Sequence, residues 1–582
     1  MWILAYFLLH FAIYFTFRVL FLIWNWPGLQ FMTKSQLFTA FTAGARFDLA
    51  VLAATCGLFF LGLLWLQKVK FLRGLWIVLF TILNSVLILL NCVDSELVNF
   101  TGRRFSKSAF FLFGEGGVSN LITPYLGLAG FTFLFIGVAA FAAFFITRRL
   151  YYPASLLKKI VLTPISLLVM IIGIRGGLQS KPISFVEGRL FSETIANQLV
   201  LNSTFTLMKS LSKPKEQRAQ YFSEAEMLMQ LKNEYRQSVI PADLKNVNIV
   251  VIILESFSYE YMLLKDPQFT PFLNSLSQLG AVQFSTSYAN GLRSIEGVGA
   301  ILAGVPALME EPFINSEFAA NQFIGIGSVL KQKGYHTSFF HGAQNGSMHF
   351  DSFIKSTGIE NYFGKNEYAN AKDDDGIWGI YDGPFLNWTC EKLSTFPQPF
   401  MTSVFTLSSH QPYSVPSHEI DKHPDGAIPI LKSVHYTDKS LQNFMNCAAQ
   451  KAWYKNTLFI ITADHAGPQL KVGADFQNRF RIPIVFFMSD KSRLQNLDAK
   501  QVAQQIDLLP TILDTVGIEQ KSKNLLARSL WQPGSKAVAL YADGIYDMAG
   551  EVRDKQLQLN AVKQYFSQGL FDNKLYYPVS DQ

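Results

Sequence analysis

Cysteine is scarce in this chain: 582 residues include only four, none spaced as CxxC and none arranged with histidine as a structural zinc site requires. That excludes a disulfide-dense secreted scaffold and a thiolate zinc module. Charge is thin as well. Charged residues make up 16% of the chain and the formal net charge is +7, too mild an excess to argue for nucleic acid. A membrane surface or an anionic lipid head group suits that balance. No internal repeat and no low-complexity segment is present. Of the four cysteines, Cys56 and Cys92 fall in apolar runs. Cys390 and Cys447 lie in the polar half, where they could form one disulfide if that half is extracytoplasmic.

What abounds is apolar surface: 49% of residues are hydrophobic, and 52 are phenylalanine. A bilayer span needs about 20 mostly apolar residues. Five segments qualify, 2–25, 46–67, 72–93, 122–146 and 157–175. The first is too long and too aromatic for a cleaved signal peptide. Arg18 interrupts it and would pair with an acidic residue such as Asp48 or Asp94. Lys68, Lys70, Arg73, Arg148, Arg149, Lys158 and Lys159 lie on one side of the spans; Lys34, Arg46, Arg103, Arg104 and Lys107 lie on the other. Positive residues favour the cytoplasm, so the N-terminus is expected inside and everything after about 176 outside.

Residues 177–245 change character, with apolar residues at helical spacing among charges, and are expected to form amphipathic helices linking the spans to a globular body at the membrane surface. Beyond 245, strands and helices alternate. "NVNIVVIILES", "GYHTSFFHG", "PFMTSVFTLSSH", "NTLFIITADH" and "RIPIVFFMS" read as buried strands, with helices between them. Such alternation predicts a parallel, doubly wound sheet over 246–582.

Four of those strands end in chemistry. The first runs into Glu255, the second into His341, the third into His410 and the fourth into Asp464 and His465. In open α/β sheets ligands gather beyond the carboxyl ends of the strands, so two carboxylates and three imidazoles should share one edge. Glu255, Asp464 and His465 make a mixed oxygen and nitrogen set suited to one divalent ion such as Mn²⁺, Mg²⁺ or Zn²⁺. The candidate nucleophile is Ser294, which follows Arg293 and opens a helix whose free N–H groups favour a phosphate. The alternative reading of Ser294 is an ordinary N-cap.

These residues resemble the lipoteichoic acid synthase and phosphoglycerol transferase branch of the alkaline phosphatase and sulfatase superfamily. The resemblance rests on "VVIILESFS", "TPFLNSL", the "RS" that opens a helix, "SSHQPY", "YTDKSLQNF", "TADHAG" and "QIDLLPTIL", together with the five apolar segments. It implies a membrane bundle over 1–176 followed by a sulfatase-like α/β domain with a mostly parallel sheet. It also implies one Mn²⁺-like ion on Glu255, Ser294, Asp464 and His465, with Arg293, His341 and His410 contacting the phosphoryl group. The donor it implies is phosphatidylglycerol, with a glycan or polymer as acceptor, and the place is the cytoplasmic (inner) membrane with the catalytic domain periplasmic. Two features depart from the family. Met348 and Phe350 stand where Gram-positive members carry Trp and Arg, which points toward a Gram-negative envelope glycan as acceptor. Ser294 is followed by Ile-Glu-Gly and stands where most members have threonine, unlike the formylglycine signature of sulfatases.

The expected chemistry is two-step phosphoryl transfer through phospho-Ser294, with His410 or His341 protonating the departing diacylglycerol oxygen. Two other readings are carried forward. A phosphoethanolamine transferase acting on lipid A or a glycan would need an acidic or aromatic pocket, for which Asp373, Asp374 and Asp375 are candidates. A non-catalytic membrane sensor would be expected to have lost a ligand.

Overall fold

The computed structural model describes residues 2–66, 68–101, 104–107, 126–149, 155–179, 181–191, 194–212, 216–231, 238–470, 476–518, 522–533, 539–541, 544–546, 552–575 and 577–578. The chain divides into two units: 1–217 with 315–322 and 571–573, and 218–314 with 323–570 and 574–582.

The first unit contains all five expected apolar helices, Trp2–Trp24, Lys34–Leu66, Lys70–Thr101, Leu126–Arg149 and Leu156–Ile174. Four of them are long and apolar enough to cross a membrane, while the described apolar stretch of Leu126–Arg149 is Phe133–Ala142. The start of the expected 122–146 span and Arg103 lie outside the described residues. The second and third helices run 33 and 32 residues, well beyond a bilayer's thickness. Arg46 therefore sits within a helix, donating from Nε to the Gly176 carbonyl at 3.0 Å.

Among the described residues this unit buries two ion pairs, each offsetting the cost of removing its charges from water. Arg18 meets Asp48 at 2.7 Å, and Arg104 meets Asp94 at 3.2 Å. Asn202 donates to Asp48 at 2.8 Å, and Arg18 also donates to the Val200 carbonyl at 2.7 Å. These bonds draw the helices Thr194–Val200 and Ser203–Leu211 into the core, where Ala196, Leu199, Val200 and Phe205 are buried with residues of the apolar helices. The segment 177–245 is thus divided: its first part packs inside the helical unit, and the helix Glu224–Gln230 belongs to the second. Residues 232–237 of that segment lie outside the described residues.

The second unit is built on a seven-stranded sheet. We number strands along the chain: β1 Asn248–Leu254, β2 Val282–Gln283, β3 Thr286–Tyr288, β4 His336–His341, β5 Asn361–Phe363, β6 Phe400–Phe405, β7 Thr457–Ala463, β8 Ile484–Phe487 and β9 Val502–Gln504. The sheet order is β2-β8-β7-β1-β6-β4-β5, with β3 and β9 pairing separately. Every residue of β1 and β7 is buried, as a strand covered on both faces must be, and both run parallel to their neighbours in the centre. The sheet is mostly parallel, as expected, with β8 running antiparallel to β7. Among the described residues the connection from β7 to β8 holds only the short turn Phe476–Arg479 and no α-helix, so the chain returns without the crossover that parallel pairing needs.

Cys390 and Cys447 form a disulfide between the helices Asp382–Leu393 and Ile430–Ala449, while Cys56 and Cys92 are free and buried. The bridge closes a separation of 57 residues. On chain-entropy grounds a loop of this size stabilises by about 4 kcal/mol. Cys390→Ser should lower the midpoint of thermal unfolding by several degrees under non-reducing conditions, and dithiothreitol should lower the wild type to the same level.

Candidate active site

Register brings the site together. Leu254 at the end of β1 pairs with Ala463 at the end of β7, so the next residue on each strand, Glu255 and Asp464, emerges beside the other. One strand further, Ile253 is level with Phe405 of β6, and Phe405 is level with His341 of β4. The strands thus deliver their terminal side chains to one edge.

Glu255, Asp464 and His465 place ligand atoms within 4.8 Å of one another. Asp464 Oδ1 is occupied, accepting the Ser256 and His465 amides at 2.8 Å each. Its Oδ2 is buried and accepts no hydrogen bond. His465 Nδ1 lies 2.9 Å from the Ala466 carbonyl, and because a carbonyl only accepts, Nδ1 carries the proton. The bare Nε2 then faces the carboxylates, 3.3 Å from Asp464 and 3.7 Å from Glu255. Burial, and next the Asp464 charge, push the Glu255 carboxyl well above the usual carboxylate range. An orphaned buried oxygen, two crowded carboxylates and a bare imidazole nitrogen fit one divalent cation, with oxygen and nitrogen donors and no thiolate.

Ser294 is the first residue of the helix Ser294–Ala303, and Arg293 is the N-cap. Capping falls to Glu296, whose Oε2 accepts the Leu292 amide at 2.8 Å and the Arg293 amide at 3.2 Å. The Ser294 hydroxyl, released from that task, donates to Glu255 Oε2 at 3.2 Å. The helix approaches β7 closely: a Cβ at Gly297 would fall 1.9 Å from the Asp464 carbonyl oxygen, so only glycine is accommodated there. An amide network secures this approach. Gln505 donates to the carbonyls of Ala463 and Asp464 at 2.8 and 2.7 Å, and accepts the Asn290 amide at 2.7 Å.

The two remaining histidines differ. His341 is buried, stacked on Phe405 with centroids 4.5 Å apart and edge-on to Phe350 at 5.9 Å. That apolar cage pushes its pKa down to about 4. Its Nδ1 donates to the Phe405 carbonyl at 3.2 Å, leaving Nε2 buried and unpartnered. His410 is half-buried and lines the cavity, with Nδ1 donating to the Gln411 carbonyl at 3.0 Å. Arg293 is turned elsewhere: its guanidinium is bound to Glu296, with Nε at 2.9 Å, and it does not line the cavity.

That cavity holds about 450 Å³ and is lined by Glu255, Ser256, His410 and His465 together with Leu292, Gln411, Tyr413, Gln469 and Arg479. Sequence reading passed over several of the groups that shape it. Asp382, buried on a helix far along the chain, accepts the Leu407 amide at 2.7 Å and the Ser408 amide at 3.1 Å, which fixes the loop carrying His410. Ser409 ties the same loop to the Glu255 carbonyl at 2.7 Å. Ser256 adopts a left-handed backbone at φ 56°, directly after Glu255, and donates to it at 2.6 Å. The contacts of Asp382 and Ser409 do not follow from spacing, since each partner is distant in sequence and is a backbone group.

Comparison with known proteins bears on the fold of this domain. Residues 247–518 match the sulfatase family. Two curated relatives from Bacillus subtilis are a lipoteichoic acid synthase-like protein, 23% identical over 48% of this chain, and lipoteichoic acid synthase 2, 24% identical over 51% of it. The chain spans about half the length of each, 48% and 49% respectively. A crystal structure of a protein in the alkaline phosphatase superfamily from Vibrio parahaemolyticus superimposes with a TM-score of 0.52 at 23% identity, covering 61% of this chain and 98% of that one. Residues 247–518 are thus similar to the sulfatase family and share the fold of an alkaline phosphatase superfamily protein, on a chain whose described N-terminal residues include four helices long and apolar enough to cross a membrane.

Proposed function

We propose that this protein transfers a phosphoglycerol group from phosphatidylglycerol to an envelope glycan or polymer through a covalent phospho-Ser294 intermediate. One observation carries the reading: the Ser294 hydroxyl is freed from capping and points at Glu255, inside the only group of buried carboxylates and histidine that could hold a cation among the described residues. The similarity to lipoteichoic acid synthases supports the choice of lipid donor.

The Ser294 oxygen attacks the phosphorus and its proton leaves along the hydrogen bond to Glu255 Oε2. The bond from phosphorus to the diacylglycerol oxygen breaks, and His410, entering the step with both ring nitrogens protonated, gives that oxygen the proton on Nε2 and keeps the Nδ1 proton on the Gln411 carbonyl. His341 takes a different part. Neutral at physiological pH and with a bare Nε2, it accepts a hydrogen bond from a substrate hydroxyl and does not act as the acid. In the second step an acceptor hydroxyl attacks the phosphoserine and gives its proton to His410 Nε2, while the bond from phosphorus to the Ser294 oxygen breaks and Glu255 returns its proton to that oxygen. A divalent ion held by Glu255, Asp464 and His465 would supply positive charge opposite the phosphoryl oxygens. Burial of the strand ends excludes bulk water from the nucleophile's side.

The cavity lining favours a polyol head group over ethanolamine. Among the described residues Glu255 is the only carboxylate in the lining, which also includes Gln411, Gln469 and Arg479. The acidic run is engaged locally. Asp373 accepts from Tyr368 and Asn370, Asp374 pairs with Lys365, and Asp375 accepts three backbone amides; none lines the cavity. The disulfide supports an extracytoplasmic domain, since such bonds persist in oxidising compartments, and with the positive-inside bias it supports an inner-membrane, periplasm-facing topology.

Detergent-solubilised protein with Mn²⁺, given phosphatidylglycerol and phosphatidylethanolamine with distinguishable fluorescent acyl chains, should release diacylglycerol from phosphatidylglycerol alone. Release from phosphatidylethanolamine instead would reassign it as a phosphoethanolamine transferase, and release from neither would leave a binding protein.

A further inference from the structure

Trp378 is 39% exposed, an unusual display for an indole, and it is held rigidly. One carboxylate oxygen of Asp375 accepts the amides of Ile377, Trp378 and Gly379 at 2.8, 2.7 and 2.9 Å, closing a tight turn beneath the ring. The indole N–H donates to the Gln411 carbonyl at 2.7 Å. That carbonyl is also the acceptor for His410 Nδ1, and the indole and imidazole centroids lie 4.2 Å apart at 56°. With its only polar atom committed, the indole has its π face and benzo edge left to offer a ligand.

We propose that Trp378 is a specificity-determining residue, the wall against which a carbohydrate acceptor packs while its hydroxyl reaches His410. The inference rests on the phosphoglycerol-transfer reading above and names the acceptor class that reading leaves open. His410 handles the proton of the alcohol entering or leaving phosphorus, so a side chain touching His410 borders whatever that alcohol is attached to. A sugar ring presents a flat face of C–H bonds that stacks on an aromatic face, and a ring locked before binding loses little entropy on doing so. Residues Met348 and Phe350 provide no such surface from the other direction: Phe350 is buried against His341 and Phe405, and Met348 is left half-buried in a left-handed turn at φ 50°. Glutamine amides at 411 and 469 in the adjoining cavity lining complement a polyhydroxylated ligand.

The test measures transfer of labelled phosphoglycerol from phosphatidylglycerol to a soluble β-glucan hexasaccharide by the full-length protein, as a function of hexasaccharide concentration. Trp378→Ala should raise the KM for the hexasaccharide about tenfold or more, with kcat altered much less, and Trp378→Phe should recover most of the loss. A fall in kcat at unchanged KM would overturn the inference, since it would mean that the indole merely holds His410. The inference is equally overturned if the wild type releases diacylglycerol but shows no saturable dependence on the hexasaccharide, or prefers a glycerol phosphate polymer with the Trp378→Ala variant unaffected. Failure of the wild type to release diacylglycerol from phosphatidylglycerol at all would instead sink the underlying reading, and the inference with it.

Discussion

Ser294→Ala should abolish diacylglycerol release from phosphatidylglycerol, lowering kcat/KM by about 10⁴-fold or more, because it removes the hydroxyl that forms the bond to phosphorus. The substitution removes one hydroxyl and one hydrogen bond, that to Glu255 Oε2 at 3.2 Å, while helix capping through Glu296 is untouched. The fold should therefore survive nearly intact, and Mn²⁺ should still bind through Glu255, Asp464 and His465 with only the contribution of the Ser294 oxygen lost, which separates loss of the nucleophile from loss of the site. Ser294→Thr should retain activity to within about tenfold, since the same hydroxyl is offered at the same helix position. Parallel measurement of diacylglycerol release and Mn²⁺ binding by calorimetry checks both halves. Residual turnover in the alanine variant within tenfold of wild type would remove Ser294 from the mechanism.

Asp464→Asn should separate stability from activity in opposite directions. In the metal-free protein the Asp464 and Glu255 carboxylates are buried together, and Asp464 Oδ2 accepts no hydrogen bond. An asparagine keeps the Oδ1 that accepts the Ser256 and His465 amides and replaces the unsatisfied oxygen with a donor facing Glu255. Relief of a buried like-charge contact is worth about 1–3 kcal/mol, so the metal-free variant should melt several degrees above the metal-free wild type. With Mn²⁺ the order reverses. The wild type gains the binding free energy through mass action, and the variant, having lost an anionic ligand, gains little. Chelation by EDTA should thus lower the wild-type midpoint markedly and leave the variant's almost unchanged, while the variant's turnover falls by at least about 10³-fold. Differential scanning fluorimetry with and without EDTA reads all four states. A variant destabilised in the absence of metal would show that Asp464 serves mainly as a structural acceptor.

How much of this was legible in the sequence depends on where each contact comes from. The strand ends were readable because a buried parallel strand is a continuous apolar run, and "VVIILES" and "FIITADH" break that run at the residues that project past the sheet edge. Those runs are silent on direction, so nothing in β8, apolar like the others, marks it as the strand that runs antiparallel to β7. Arg293 was expected at the phosphate because it precedes Ser294, yet Glu296 stands three residues on, the spacing of a capping box, and captures it. That signal was present in "RSIE" and also frees Ser294 from the N-cap alternative. Arg18 was expected to snorkel or to pair with Asp48 or Asp94, and it meets Asp48. Asp382, Gln505 and Trp378 could not be found this way: each earns its place through a partner more than two dozen residues away, brought near only by the folded sheet and its loops.

The measurement that bears most directly on the mechanism is the intact mass, followed by peptide mapping, of protein quenched with acid during turnover of phosphatidylglycerol with Mn²⁺ and no added acceptor. Covalent catalysis predicts a fraction of the protein heavier by one glycerol phosphate less water, the addition mapping to the peptide that contains Ser294 and absent from Ser294→Ala. Diacylglycerol released at full rate with no adduct, or with the adduct on another residue, would contradict it.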